Sequence, residues 1–425
     1  MRKIIRYSEF LKKDGFKKVF ENFTWLSILQ VIDRFAGIIV IPYLIRTIGI
    51  EKWGLIAFAQ SFILYFGTVV GYGFHLIGVR DISQNRDSIE KLGKIFYSIL
   101  ATKTLLFIIS SIIYFSIVLS FKKFNSELLL FTFNFFYILG YSFYPDWFFQ
   151  GIEKMKFSTI LGSIARFSYV FLVFIFIKEP DNYVFVPLLN SVSVILMGIS
   201  GLFLAIFKFK IKFYFPKIRD IILQLKEGFH IFLSQLYLSL YSNSRVFILG
   251  IFTSSGIVGN YALAEKIINI MGIPLGIFAN AIFPRLSLKY KENINNFKKI
   301  FKICILFSVL WAIILCSGNF IFGKFILSIF AGDSYNNIAL YSLYVLILGL
   351  FFNQISVFLT QNFILIDKMK IFSRIYLIST FTGLISLLIM TPLIQYKGIA
   401  IASVLFEMTI FIVSIYYFKK EKILI

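Results

Sequence analysis

Twelve apolar runs, each long enough to cross the roughly 30 Å of bilayer hydrocarbon, follow one another with short polar breaks. A chain built this way can pair its backbone groups only as a bundle of membrane-spanning helices. At about 20 residues per crossing, the spans fall at 23–45, 53–79, 95–119, 128–150, 158–177 and 183–207, then at 229–252, 260–284, 303–323, 338–363, 372–392 and 399–418. Hydrophobic residues make up 59% of the 425 and charged ones only 15%, more apolar surface than a soluble core can hide. The predicted fold class is all-α, a polytopic membrane protein with twelve transmembrane helices in two six-helix lobes.

Most of the 43 Lys and Arg residues lie at the two ends and in the loops after spans 2, 4, 6, 8 and 10. That asymmetry predicts both termini in the cytoplasm. Residues 1–21, basic and patchily apolar, lack the apolar core and cleavage site of a signal peptide and are expected to lie on the lipid surface as a cytoplasmic helix. The predicted organisation is then a lobe over 22–207, a basic linker over 208–228, a second lobe over 229–418 and a tail over 419–425. Six spans per half bring the second half into the membrane in the same orientation as the first, so an internal repeat would turn about the membrane normal. Gly54, Ala57, Ala59 and Gln60 do match Gly259, Ala262, Ala264 and Glu265 at a constant offset.

Five cations sit inside apolar runs: Arg34, Lys103, Arg166, Arg245 and Lys266. Each costs about 2.5–3.5 kcal/mol at membrane depth, so such charges need acidic partners, a wet cavity or an anionic cargo. Arg suits a phosphate, since its planar guanidinium holds two oxygens at once and stays protonated. Arg34 and Arg245 lie on the first helix of each half; Lys103 and Lys266 could add point charge. Arg166, near the start of span 5, has snorkelling toward the headgroups as its competing reading. Asp33, Glu265 and Glu407 are candidate charge partners or ion-coupling groups, and Asp146, after Pro145, is expected at the interface.

The aromatic run around Tyr144-Pro145-Asp146-Trp147-Phe148-Phe149 could stack on sugar rings but more often marks the interfacial belt. Pro42, Pro145, Pro187 and Pro274 mark expected kinks. Enzyme readings find little support. The histidines are His75 and His230, near span ends; no metal-spaced cluster or phosphate-cradling glycine loop is visible, and neither a cofactor nor a metal is expected. Cys304 and Cys316 lie about 18 Å apart along one helix, too far to be bridged. The basic residues alternate with spans and form no solvated patch for nucleic acid.

Several segments resemble one family. They are Pro42-Tyr-Leu-Ile-Arg46-Thr-Ile-Gly49 with Trp53-Gly54, Asp146-Trp147-Phe-Phe-Gln150-Gly151-Ile-Glu153, Leu249-Gly250, Val258-Gly259-Asn-Tyr261-Ala262-Leu-Ala264-Glu265-Lys266, and Phe283-Pro284-Arg285. Together they are similar to the polysaccharide-transporter family, the Wzx-type flippases of O-antigen, within the superfamily that also holds MATE exporters and MurJ lipid II flippases. The resemblance implies a V-shaped pair of six-helix lobes in the bacterial inner membrane. It further implies that these carry undecaprenyl-pyrophosphate-linked oligosaccharide between leaflets through a cationic central cavity. Polysaccharide polymerase and chain-length machinery are the partners it suggests. Two alternatives stay open: a MATE-type exporter, whose site would favour acids for cationic drugs, and a membrane glycosyltransferase or polymerase, which would need a larger outer loop than this chain has.

Overall fold

The computed structural model describes residues 13–366 and 368–421; the side chains of some helical positions, Asp33 and Arg34 among them, lie outside the described set. The expected surface helix at 1–21 therefore falls mostly outside the described residues, and of the tail only 419–421 are described. Thirteen longer helices run in chain order: α1 Lys13–Gly71, α2 Phe74–Gln84, α3 Ile89–Ser120, α4 Leu128–Phe143, α5 Asp146–Gly151, α6 Met155–Phe176, α7 Phe185–Phe203, α8 Ile218–Phe252, α9 Ser255–Met271, α10 Ile273–Glu292, α11 Ile294–Ala331, α12 Asn337–Leu365 and α13 Met369–Lys420.

Among the described residues, nine helical stretches are long and apolar enough to cross a membrane. Two of them, Ala36–Gln84 and Met369–Lys420, have 49 and 52 residues, twice what one crossing needs. Each breaks inside: at Gly49 (φ 81°) in α1, and at Ile394 and Gln395 in α13. The short loops expected there are thus single sharp reversals, and at the first one only glycine meets the left-handed conformation without a steric penalty. Counting each of these twice, and adding α8, made more polar by Ser242, Asn243, Ser244 and Arg245, recovers the twelve expected spans.

Contacts divide the chain into two compact units, Met1–Ile41 with Phe62–Ser239, and Pro42–Ser61 with Leu240–Ile425. In the first, Phe62, Tyr114, Phe131 and Phe135 stack at centroid separations of 4.7–6.2 Å. The buried Tyr114 hydroxyl donates to the Phe131 carbonyl (2.8 Å), which removes the cost of an unpaired phenol in an apolar core. In the second, Leu275 and Ala279 of α10 meet Phe297, Phe301 and Cys304 of α11 and Phe358 of α12. Large apolar side chains such as Ile112, Phe171, Ile321 and Leu393 point outward. That pattern is costly in water and natural in lipid, so the chain is a multi-pass membrane protein.

The stretch Pro42–Ser61 shows why it packs with the second unit. Gly54 of α1 crosses Gly259 of α9 so closely that a Cβ on Gly54 would lie 1.9 Å from the Ser255 carbonyl oxygen, and one on Gly259 would lie 2.0 Å from that of Ile50. Only two glycines allow backbones to approach this far. Arg46 adds a clasp, donating through Nη2 to the carbonyl of Ile329 (2.6 Å) in the last turn of α11, where helical carbonyls lack partners.

Candidate functional site

Two clusters of polar and charged side chains lie among the long apolar helices, one in each unit. In the first unit the anchor is Lys103, halfway along α3 and 3% exposed. Its ammonium donates to the carbonyls of Tyr141 (2.9 Å) and Tyr144 (3.4 Å) and sits 4.9 Å from the centre of the Tyr141 ring. The local sequence accounts for this contact. The Tyr141 carbonyl would ordinarily accept from residue 145, but Pro145 has no N–H, so α4 ends there with open acceptors and a negative pole. Lys103 is thus a cation that closes a helix end.

Beside it opens a cavity of about 310 Å³, walled by α4, α6 and α7. Tyr137, Tyr141 and Tyr144 line one side, and Asp146, Arg166 and Asn190 bring charge and amide groups to it. The three tyrosines recur at the i, i+4, i+7 spacing of one helix face. The chemistry on offer is aromatic faces, hydroxyls, a guanidinium, a carboxylate and an amide in a space large enough for a small polar group.

The interfacial-belt reading of the segment after Tyr144 does not hold: Trp147, Phe148 and Phe149 are buried, with the Trp147 indole over Gly78 of α2. The short helix α5 folds back onto α2, and burial against protein replaces the expected exposure to headgroups. Asp146 begins α5 and faces the cavity.

In the second unit, α8, α9, α12 and α13 bring together Arg245, Glu265 and Glu407. Arg245 Nε lies 3.1 Å from Glu265 Oε1, with both side chains largely buried, and the guanidinium stands 5.7 Å from the Tyr241 ring centre. Glu407 accepts from Asn353 Nδ2 (3.1 Å). Tyr241 stacks on Phe406 at 3.6 Å. The pairing of Arg245 and Glu265 explains how an Arg is tolerated here: each charge offsets part of the other's desolvation cost.

Of the five cations singled out from the sequence, the structure brings Lys103 and Arg166 to one cluster and Arg245 to the other. Lys266 is exposed, since it follows Glu265 by one residue and turns about 100° away from it. Arg34, with Asp33 beside it, lies outside the described side chains. Tyr137, Asn190, Tyr241 and Asn353 were not anticipated; the tyrosine spacing in span 4 and the Asn353-Gln354 pair inside span 10 were the available signals.

A family model described as polysaccharide biosynthesis protein matches residues 19–290. The chain belongs to that family. Family relatives include proteins provisionally named O-antigen transporters: one from Escherichia coli strain K12 is 27% identical over 95% of this chain and 97% of its own length. Another, from Shigella dysenteriae, is 28% identical over 89% and 93%. Among solved structures the fold is similar to the inward closed conformation of the lipid II flippase MurJ (TM-score 0.74, 18% identity, 92% of this chain and 87% of that one). It is also similar to an inward-facing multidrug-resistance MATE transporter of the MOP superfamily (TM-score 0.68, 15% identity, 94% and 98%). This family member therefore has the MurJ and MATE fold, in agreement with the expected fold class.

Proposed function

We propose that this chain is a flippase that carries an undecaprenyl-pyrophosphate-linked oligosaccharide from the cytoplasmic to the periplasmic leaflet of the bacterial inner membrane, a transport step with no covalent chemistry. The observation that carries the reading is the Tyr137–Tyr141–Tyr144 wall with Arg166 in a cavity of about 310 Å³ among candidate spanning helices, in a chain that aligns nearly end to end with proteins named for O-antigen transport. Sugar hydroxyls cost kilocalories each to strip of water in hydrocarbon, so the headgroup needs a polar route. Tyrosine faces and hydroxyls offer stacking and hydrogen bonds along it.

In this reading Arg166 meets the diphosphate, with Lys103 supplying field from behind. Arg245 reaches an anion when its pair with Glu265 parts, and Arg34 and Lys266 add charge along the route. Glu265, Glu407 and Asp33 are the groups through which a proton or sodium gradient would act, and the lobes over 22–207 and 229–418 alternate in access with both termini cytoplasmic. Polysaccharide polymerase and chain-length proteins would receive the product.

Complementation of a flippase-null strain tests this directly. Arg166→Ala and Arg245→Ala are expected to abolish surface polysaccharide while the lipid-linked intermediate accumulates. Wild-type output from both at normal protein level overturns the assigned residues, and an inactive wild-type chain in several flippase-null backgrounds overturns the function.

A further inference from the structure

The strap that leads from α7 to α8 carries chemistry that lipid-linked transport does not use. Its residues 208–219 contain Lys208, Lys210, Lys212, Lys217 and Arg219 and not one acid. Between these cations Phe213, Phe215 and Ile218 stand 71%, 80% and 77% exposed. A segment left loose in water would hide such rings against itself. This one is held open by its own anchors.

Five contacts set its position. Lys212 Nζ pairs with Glu90 Oε1 at 2.7 Å. Asp220, buried at the start of α8, takes Lys94 Nζ (3.0 Å) and accepts from the Tyr214 hydroxyl (2.8 Å) and the Lys217 N–H (3.0 Å). The Lys212 carbonyl presses on Gly93 so tightly that a Cβ there would meet it at 2.2 Å. Between the strap and the first turns of α3 this leaves a cleft of about 320 Å³, lined by Glu90, Lys91, Lys94, Lys212, Phe213 and Tyr214. Glu90 and Asp220 engage Lys212 and Lys94, and no carboxylate among the described residues pairs with Lys91.

We propose that the strap and this cleft form a binding site for anionic phospholipid, with the headgroup phosphodiester between Lys91 and Lys212 and the Phe213, Phe215 and Ile218 side chains in the acyl boundary. Charge and position choose this occupant over others. The strap leaves a membrane-spanning helix, so its exposed rings already stand at the lipid surface. Its net positive charge, of which Glu90 offsets only that of Lys212, matches phosphatidylglycerol or cardiolipin and repels no zwitterionic lipid enough to exclude it, so selectivity must come from the cleft lysines.

The test uses the purified full chain in detergent with equal amounts of dioleoyl-phosphatidylglycerol and dioleoyl-phosphatidylcholine, read by native mass spectrometry. Phosphatidylglycerol is expected to be retained in preference. Lys91→Gln should lower that preference about fivefold, as should Phe213→Ser with Phe215→Ser, while Lys122→Gln, just beyond the far end of α3, leaves it unchanged. Lys91 is exposed and single, so its variant is expected to keep the wild-type melting profile. Equal retention of the two lipids, or unchanged retention in both cleft and ring variants, overturns the proposal. Displacement of the lipid by inorganic phosphate alone also overturns it, because the site would then be one for a free anion.

Discussion

Gly54 and Gly259 lie face to face where α1 crosses α9, and a Cβ on either would run into a carbonyl oxygen of the facing helix, that of Ser255 or of Ile50. The obstruction on both sides is backbone, which cannot rotate away. Gly54→Ala and Gly259→Ala are therefore expected to destabilise the second unit by about 1–3 kcal/mol, the usual cost of overpacking. Melting of purified protein by size exclusion is the measurement. Gly67→Ala, inside the same helix but with nothing within 4 Å of the added Cβ, is the matched control and should be neutral or stabilising by up to about 1 kcal/mol.

Lys103 is expected to act on folding before it acts on transport. Replacing it with Met leaves the Tyr141 carbonyl with no donor from Pro145 and none from α3, a loss of about 1–3 kcal/mol for a buried unpaired acceptor. Membrane-inserted protein level and melting temperature should both fall. A Lys103→Met chain with full stability and no transport would instead place Lys103 among the groups that touch the cargo.

For Arg245 and Glu265 the double-mutant cycle gives an outcome that neither single change does. Glu265→Gln strands a guanidinium and should cost about 3 kcal/mol, the lower end for breaking a buried pair. Arg245→Met with Glu265→Gln removes both charges and should cost less than either single variant. An additive double variant would show that the two side chains do not depend on each other.

Asp220 should confer an acid sensitivity on the strap. Burial pushes its carboxyl up, but Lys94, the Lys217 N–H and the Tyr214 hydroxyl outweigh it and hold the group below its ordinary 3.8. A depressed folded-state value means that the unfolded chain binds the proton first, so the contribution to stability is complete above about pH 4 and is lost as the pH falls through the folded value. Wild-type protein is expected to lose stability below that point more steeply than Asp220→Asn, with the two curves parallel from pH 5 to 8. Melting curves from pH 2.5 to 8 would show it.

Much of the architecture could be read from the chain because lipid imposes a blunt rule: an apolar run of the right length must be a spanning helix. Gly54 and Gly259 stood out in the chain as matched positions of two half-sequences, but nothing in the sequence showed that they touch. The charged clusters were harder. Arg245 and Glu265 are 20 residues apart and meet only because α8 and α9 pack side by side, and the role of Lys103 depends on a proline 42 residues further on. Tyr144 to Phe149 misled for a physical reason: aromatic residues at a span end fit the headgroup layer and a folded-back helix equally well, and only the seat of Trp147 on Gly78 decides between them.

The close crossing of α1 and α9 has a consequence for biosynthesis. Residues 42–61 leave the ribosome some two hundred positions ahead of the surface they finally rest on, and until α9 arrives the notch at Gly54 has nothing to fill it. Severing the gene between the sixth and seventh spans would thus yield two fragments that each lack something the other holds. Neither should mature alone, whereas co-translation of both could restore the partnership.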